Sequence, residues 1–156
     1  MNIEIVKADL TDSGQVASII DIVDSYAREP MGGGEPLTAA VRAKLVDELD
    51  SVSGLVVFLA LLDGRPTGVA VCFRGYSTFK AQPLLNIHDL AVLPGQRSRG
   101  LGRALLGAIE DYARETGCCK LTLEVRKDNT GARRLYREYG FGTEVLPTIF
   151  LEKRLE

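Results

Sequence analysis

The sequence predicts a mixed α/β domain, and three observations carry that prediction. Leu84–Leu93 is an almost continuous apolar run, with Leu85, Ile87, Leu90, Ala91, Val92 and Leu93, as expected of a strand covered on both faces. Pro94 and Gly95 end it. Two further apolar runs, Leu55–Leu62 and Thr67–Phe73, flank Asp63-Gly64, which is the signature of a tight hairpin. Leu101, Ala104, Leu105, Ala108, Ile109 and Tyr112 then place one apolar stripe along a helix.

The remaining elements follow in chain order. Ile3–Val6 alternates as a first strand. Asp12 with Gln15 reads as a helix cap, and Val16, Ile19, Ile20, Val23 and Ala27 continue at helical spacing to about Arg28. Glu29–Pro36 is the most irregular stretch and holds three consecutive glycines. Its composition fits a flexible connection; a loop that closes over substrate is the functional alternative. Thr38 caps a second helix whose apolar side uses Val41, Leu45 and Leu49. Pro66 opens the returning strand of the hairpin, where a missing N–H is tolerated. Gly117 is expected as a left-handed cap, Cys119–Val125 as a strand, and Asp128-Asn129 as the turn into another helix. That helix carries Ala132, Leu135, Tyr136 and Tyr139 on one side and ends at Gly140. Phe141–Leu146 and Thr148–Leu155 are expected to pair around Pro147. No repeat, low-complexity tail or linker interrupts the 156 residues, so residues 1–156 read as one domain.

Composition narrows the partners. A net charge of −2 gives no argument for nucleic acid or an anionic membrane. The basic residues near 97–103 and 133–137 are local and suit a small anionic ligand. No apolar run approaches the ~20 residues of a membrane span, and the N-terminal stretch shows no signal-peptide pattern. Cys72, Cys118 and Cys119 have neither disulfide nor metal-ligand spacing. The expectation is a reduced, cytoplasmic protein with no metal. The vicinal Cys118-Cys119 pair lies where a helix gives way to a strand, and no role is assigned to it.

The chemistry concentrates after the apolar strand at 84–93. Arg97-Ser98-Arg99-Gly100-Leu101-Gly102 leads directly into the helix. Its glycines let backbone N–H groups approach a ligand, and the helix start points its positive dipole end at the same spot. Arg97, Arg99 and Arg103 add fixed charge, which makes a pyrophosphate cradle. A Rossmann reading lacks the second glycine at the required spacing. A Walker loop lacks Gly-Lys-Ser/Thr.

This R-x-x-G-x-G segment resembles the coenzyme A loop of the GCN5-related N-acetyltransferases. Ser98 is a departure, since many relatives carry a second glycine there, and it matters if that position needs a positive φ. A second block, Asn129 to Phe141 (N-x-x-A-x-x-L-Y-x-x-x-G-F), resembles the same family. The resemblance implies a mixed, mostly antiparallel central sheet flanked by helices. It also implies an acetyl-CoA-dependent N-acetyltransferase that works by direct transfer in a ternary complex. The implied cofactor contacts are the backbone of Leu90, Ala91 and Val92, the loop Arg97, Ser98, Arg99, Gly100, Leu101, Gly102 and Arg103, and Asn129, Ala132 and Tyr136. Dimers are common among relatives, although no residue here fixes a homodimer.

Acetyl transfer to an amine needs a neutral amine, a stabilised oxyanion and a proton for the departing thiolate. Tyr136 is the candidate acid, because a phenol near pKa ~10 is protonated at neutral pH. Spacing alone would leave it packing on its helix; the family block assigns the catalytic role. His88, the only histidine, is the candidate base. A histidine hydrogen-bonded within the sheet is an equal reading. Tyr76-Ser77-Thr78-Phe79 followed by His88-Asp89 is similar to the diamine and thialysine acetyltransferase branch, with His88 in place of that branch's glutamate. Tyr76, Asn86, His88, Asp89 and Glu35 are therefore expected to line the acceptor site. Asp89 reads equally as a carboxylate that draws in an ammonium and as a partner for a backbone N–H or an arginine. Adjacent strand residues face opposite sides, so His88 and Asp89 are expected to point apart unless the strand is distorted. The preferred acceptor is a small primary amine. A protein N-terminus or lysine, or a non-catalytic acyl-CoA sensor, are the alternatives.

Overall fold

Short connections between apolar strands favour pairing of sequence neighbours, and the second, third and fourth strands pair in that way. The structure, a computed structural model, describes residues 1–142 and 148–156. Its strands are β1 (Ile3–Lys7), β2 (Leu55–Leu62), β3 (Arg65–Ser77), β4 (Gln82–Val92) and β5 (Leu121–Leu123). They form one five-stranded sheet in the order β1-β2-β3-β4-β5. The first three pairings are antiparallel and the last is parallel. The helices are α1 (Ser13–Ala27), α2 (Ala39–Glu48), α3 (Leu101–Glu115) and α4 (Thr130–Glu138). The fold is thus mixed α/β, mostly antiparallel and flanked by helices. By compactness the chain divides into Met1–Leu123, which holds the whole sheet, and Glu124–Glu156, which holds α4.

Both faces of the sheet are buried, which explains why β2 reads as a continuous apolar run. On one face Ile19 and Ile22 of α1 meet Val57, Leu59, Val69, Val71 and Ala91. On the other, α3 buries Leu101, Leu105, Leu106 and Ile109, and its Tyr112 ring meets Phe58 edge-on. Gly68 permits this approach. A Cβ there would lie 3.2 Å from the Ala60 Cβ, 3.3 Å from the Ala91 carbonyl oxygen and 3.4 Å from Leu105 Cδ1. The Asp63-Gly64 turn has φ of +50° and +80°, the doubly left-handed geometry of a hairpin turn.

Asp12 caps α1 by accepting from the Gly14 and Gln15 N–H groups, while Gln15 reaches back to the Asp9 N–H. α3 ends at a left-handed Gly117, with the Cys118 N–H returned to the Ala113 carbonyl. The glycine-rich stretch after α1 is bound to the helix end and is not merely a loose connection. The N–H groups of Gly34 and Glu35 both donate to the Ala27 carbonyl, and a Cβ on Gly32 would fall 2.1 Å from the Tyr26 oxygen. Asp24, buried in α1, holds the far side of this stretch through the Leu37 N–H, and also meets Arg28 and Arg42. These donors, the Leu37 N–H foremost, hold its carboxyl below the ordinary range. Sequence patterning gave no sign of this hub, because Leu37 and Arg42 reach it from outside the helix.

Other expectations needed adjustment. In α2 no residue is fully buried, and Val41 is 45% exposed, so the predicted apolar side is only partly covered. Leu49 lies past α2 in a 3-10 turn and packs on the α1-side core. β3 runs on to Ser77, beyond the Phe73 limit, because Arg74, Gly75 and Tyr76 pair with β4 although they are exposed. The strand expected at Cys119–Val125 shrinks to Leu121–Leu123, the length over which β4 offers partners. Residues 143–147, with most of the first strand of the expected final hairpin, lie outside the described residues; Thr148–Leu155, expected as its second strand, is described and is not a strand.

Candidate active site

The site begins with a change of register in β4. Cys72 pairs with Ile87 but Val71 pairs with Asp89, so His88 is the extra residue of a β-bulge. β5 stops at the same place, its last pairing being Leu123 with Ile87. From His88 onward that edge of β4 has no strand partner among the described residues.

The bulge has two consequences. The first concerns the backbone. Before it, Leu85 turns its N–H outward to the Lys120 carbonyl on the β5 side, at 3.2 Å. After it, Leu93 donates inward to Thr67 on the β3 side, at 2.8 Å. Alternation then directs the amide groups of Leu90 and Val92 to the open edge, with those of Ala91 turned back to β3. The second concerns side chains. Opposing residues share a face, so Asp89 lies on the face of Val71, the one covered by α1. The His88 ring meets Phe73 edge-on, with centroids 5.5 Å apart and planes at 83°, and Phe73 belongs to that same face. His88 and Asp89 therefore stand on one face, contrary to the expectation for adjacent strand residues.

Burial pushes the Asp89 carboxyl above the ordinary carboxylate range, while the neighbouring His88 charge pulls it down. Burial, with the Asp89 charge adding to it, pushes the Cys72 thiol up to about 12, so this cysteine is protonated at neutral pH.

The loop after β4 is strained where the sequence is unusual. Ser98 has φ of +62°, so the position does require the left-handed state that glycine adopts freely. Gly100, at +87°, caps α3 without a side-chain hydrogen bond. The first turn of α3 consequently presents backbone N–H groups that no side chain caps. A Cβ on Gly100 would meet only Ile3 Cδ1, at 4.0 Å, so the approach to this turn is open. Arg99 and Arg103 are exposed beside it. The Gln96 Oε1 atom, at the base of the loop, is buried without a hydrogen-bond partner among the described residues. An open strand edge leading to an uncapped helix start fits a ligand with amide groups at one end and a pyrophosphate at the other.

Arg97 is placed differently from the sequence expectation. Its Nε donates to the Val92 carbonyl at 3.1 Å, and its guanidinium pairs with Glu29. It ties the loop to β4 and to the segment after α1. Tyr76 falls on the opposite, α3-facing side of the sheet, since it shares that face with Arg74, whose guanidinium reaches Thr116 at the end of α3. It is not brought together with His88 and Asp89. Asn86 donates to Thr122 Oγ1 at 3.0 Å and so braces β4 against β5. Glu35 is exposed, with its N–H on the Ala27 carbonyl.

In the second unit, Asn129 caps α4, its side chain accepting from the Ala132 N–H at 3.3 Å. Ala132, Leu135, Tyr136 and Tyr139 form the half-buried side of that helix, as their spacing predicts. The Tyr136 ring meets Phe141 edge-on at 5.9 Å, and the Phe141 N–H donates to the Tyr136 carbonyl. Gly140, at φ of +101°, ends the helix.

The sequence model of the acetyltransferase (GNAT) family matches residues 19–141. The chain belongs to that family. Among relatives, the uncharacterised N-acetyltransferase YhfO of Bacillus subtilis is 28% identical over 143 residues, covering 90% of this chain and 89% of its own. The aminoglycoside N(6')-acetyltransferase type 1 of Salmonella typhimurium is 25% identical over 111 residues, covering 69% of this chain and 76% of its own. A crystal structure of a probable acetyltransferase superposes with a TM-score of 0.83 at 22% identity, over 98% of this chain and 99% of the other. That likeness concerns the fold. As a GNAT acetyltransferase the chain is an N-acetyltransferase enzyme, and acetyl-CoA is the co-substrate the family uses. Among the described residues no cluster of three or more His, Cys, Asp or Glu side chains could hold a metal. No helix among them is long and apolar enough to cross a membrane.

A serine held in the left-handed region costs ~1 kcal/mol relative to glycine, so Ser98→Gly should raise unfolding stability by about that amount in urea titrations without weakening acetyl-CoA binding. A loss of stability would mean that Ser98 is not strained. For Asp89, a folded-state pKa raised above the unfolded value makes the native carboxylate oppose folding at neutral and higher pH. The cost fades as pH falls through the folded pKa toward about 4. Asp89→Asn should therefore be more stable than the parent at pH 8, with the gap closing near pH 4. Reduced stability at pH 8 would contradict the assignment.

Proposed function

We propose that this acetyltransferase, acting as one domain, moves the acetyl group of acetyl-CoA to a primary amine of a small cationic molecule by direct transfer. The observation that carries the reading is the bulge, which sets an imidazole and a half-buried carboxylate side by side at the start of the open strand edge. An alkyl ammonium near pKa ~10.4 must lose a proton before it can attack. In this reading His88 accepts that proton, directly or through a water, and Asp89 draws the ammonium in. The Leu90 and Val92 backbone groups hold the pantetheine amides, and the α3 N-terminus with Arg99 and Arg103 holds the pyrophosphate. Tyr136 donates its hydroxyl proton to the departing thiolate as the new C–N bond forms and the C–S bond breaks. The reading gains support from the relative named as an aminoglycoside acetyltransferase and from the Tyr76–Asp89 likeness to the diamine and thialysine branch. Tyr76 itself is left out of the acceptor site, because it faces the other side of the sheet.

The test is coenzyme A thiol release between pH 7 and 9 across spermidine, thialysine, lysine, kanamycin and a short alanine-led peptide. The expected result is that a small polycationic amine is turned over fastest and the peptide is slow. His88→Gln should lower kcat/KM by ~100-fold. Tyr136→Phe should lower turnover while acetyl-CoA affinity barely changes. Peptide turnover ahead of every small amine would transfer the assignment to a protein acceptor. Acetyl-CoA binding with no turnover of any amine would favour a sensor.

A further inference from the structure

We infer that Phe73, a β3 residue with no assigned role, is the positioning residue that aims the His88 imidazole. The inference rests on the reading of His88 as the base. His88 is the extra residue of the bulge and is exposed, so neither ladder pairing nor core packing fixes its ring. No hydrogen bond among the described residues holds the imidazole. Its neighbours are the Asp89 charge and the Phe73 ring, met edge-on at 5.5 Å and 83°. That is the favoured geometry for an aromatic pair. Phe73 is itself well anchored. It pairs with Asn86 across the β3–β4 ladder and packs partly buried against the cluster under α1 that contains Val71 and Ala91. An anchored ring thus stands beside an exposed one, on the face that also carries Asp89. The carboxylate supplies charge and the phenyl ring supplies direction. A small misplacement of a proton acceptor is enough to cost ~100-fold in rate, so the contact has leverage that its modest strength would not suggest.

The test uses Phe73→Leu, which keeps apolar volume, and Phe73→Tyr, which keeps the ring, each made with His88 present and in the His88→Gln background. Rates are measured at pH 8 with whichever of the five acceptors above is turned over fastest. With His88 present, Phe73→Leu should lower kcat/KM for the amine ~10-fold with little change in KM for acetyl-CoA, and Phe73→Tyr should restore it to within about twofold. In the His88→Gln background Phe73→Leu should cause no further loss. Because His88 is the only histidine, its Cε1–H proton gives one unambiguous NMR signal, which should move when the Phe73 ring current is removed. Equal losses from Phe73→Leu in both backgrounds, or an unmoved His88 signal, would overturn this inference and leave the base reading standing. Unchanged turnover in His88→Gln, or no turnover of any acceptor, would overturn the base reading and this inference with it.

Discussion

The site depends on one extra residue in β4. With uninterrupted pairing beyond Cys72–Ile87, His88 would sit opposite Val71 and Asp89 opposite Ala70. Asp89 would then turn toward α3 and its buried leucines, where a carboxylate has no partner. Leu90 would direct its amide groups back to β3. The bulge changes the last two. It shifts the carboxylate to the α1 side, where the histidine also stands, and exposes alternate backbone groups along an edge that β5 has ceased to cover.

The rest of the first unit holds that edge in place. α1 and α3 clamp the two faces of the sheet, and Gly68 lets α3 come close enough to start immediately beyond the β4 turn. The loop between β4 and α3 needs three left-handed residues, Gly95, Ser98 and Gly100, to bring the helix start around. Arg97 gives the loop a second anchorage through the Val92 carbonyl and Glu29. Glu29 in turn accepts the Gly32 and Gly34 N–H groups on its own carbonyl. Cofactor loop and glycine-rich stretch are thereby joined through a single acidic residue.

Local signals were legible in the sequence. Asp63-Gly64, Asp12, Gly117, Gly140 and the α3 stripe each depend on residues within a few positions, and each is found where its chemistry places it. The need for a positive φ at Ser98 could be read as a question and was answered by geometry. What escaped reading depends on residues distant in sequence. A bulge is a mismatch between two strands, so neither strand alone announces it, although a histidine–aspartate pair interrupting an apolar run hints at it. The face on which Tyr76 lies depends on β3 continuing past Phe73 in unbroken register. The pairing of Arg97 with Glu29, far away in the chain, has no local signal in the sequence. Asn129 shows that one side chain can carry a motif and also cap a helix.

The most direct test of this account is an amide proton–nitrogen NMR titration of the protein with acetyl-CoA. If the bulge opens the β4 edge, the largest shifts fall on Leu90 and Val92 and on Leu101, Gly102 and Arg103, while Ala91, bonded inward to β3, moves little. Shifts concentrated elsewhere, or Ala91 moving as far as its two neighbours, would contradict it.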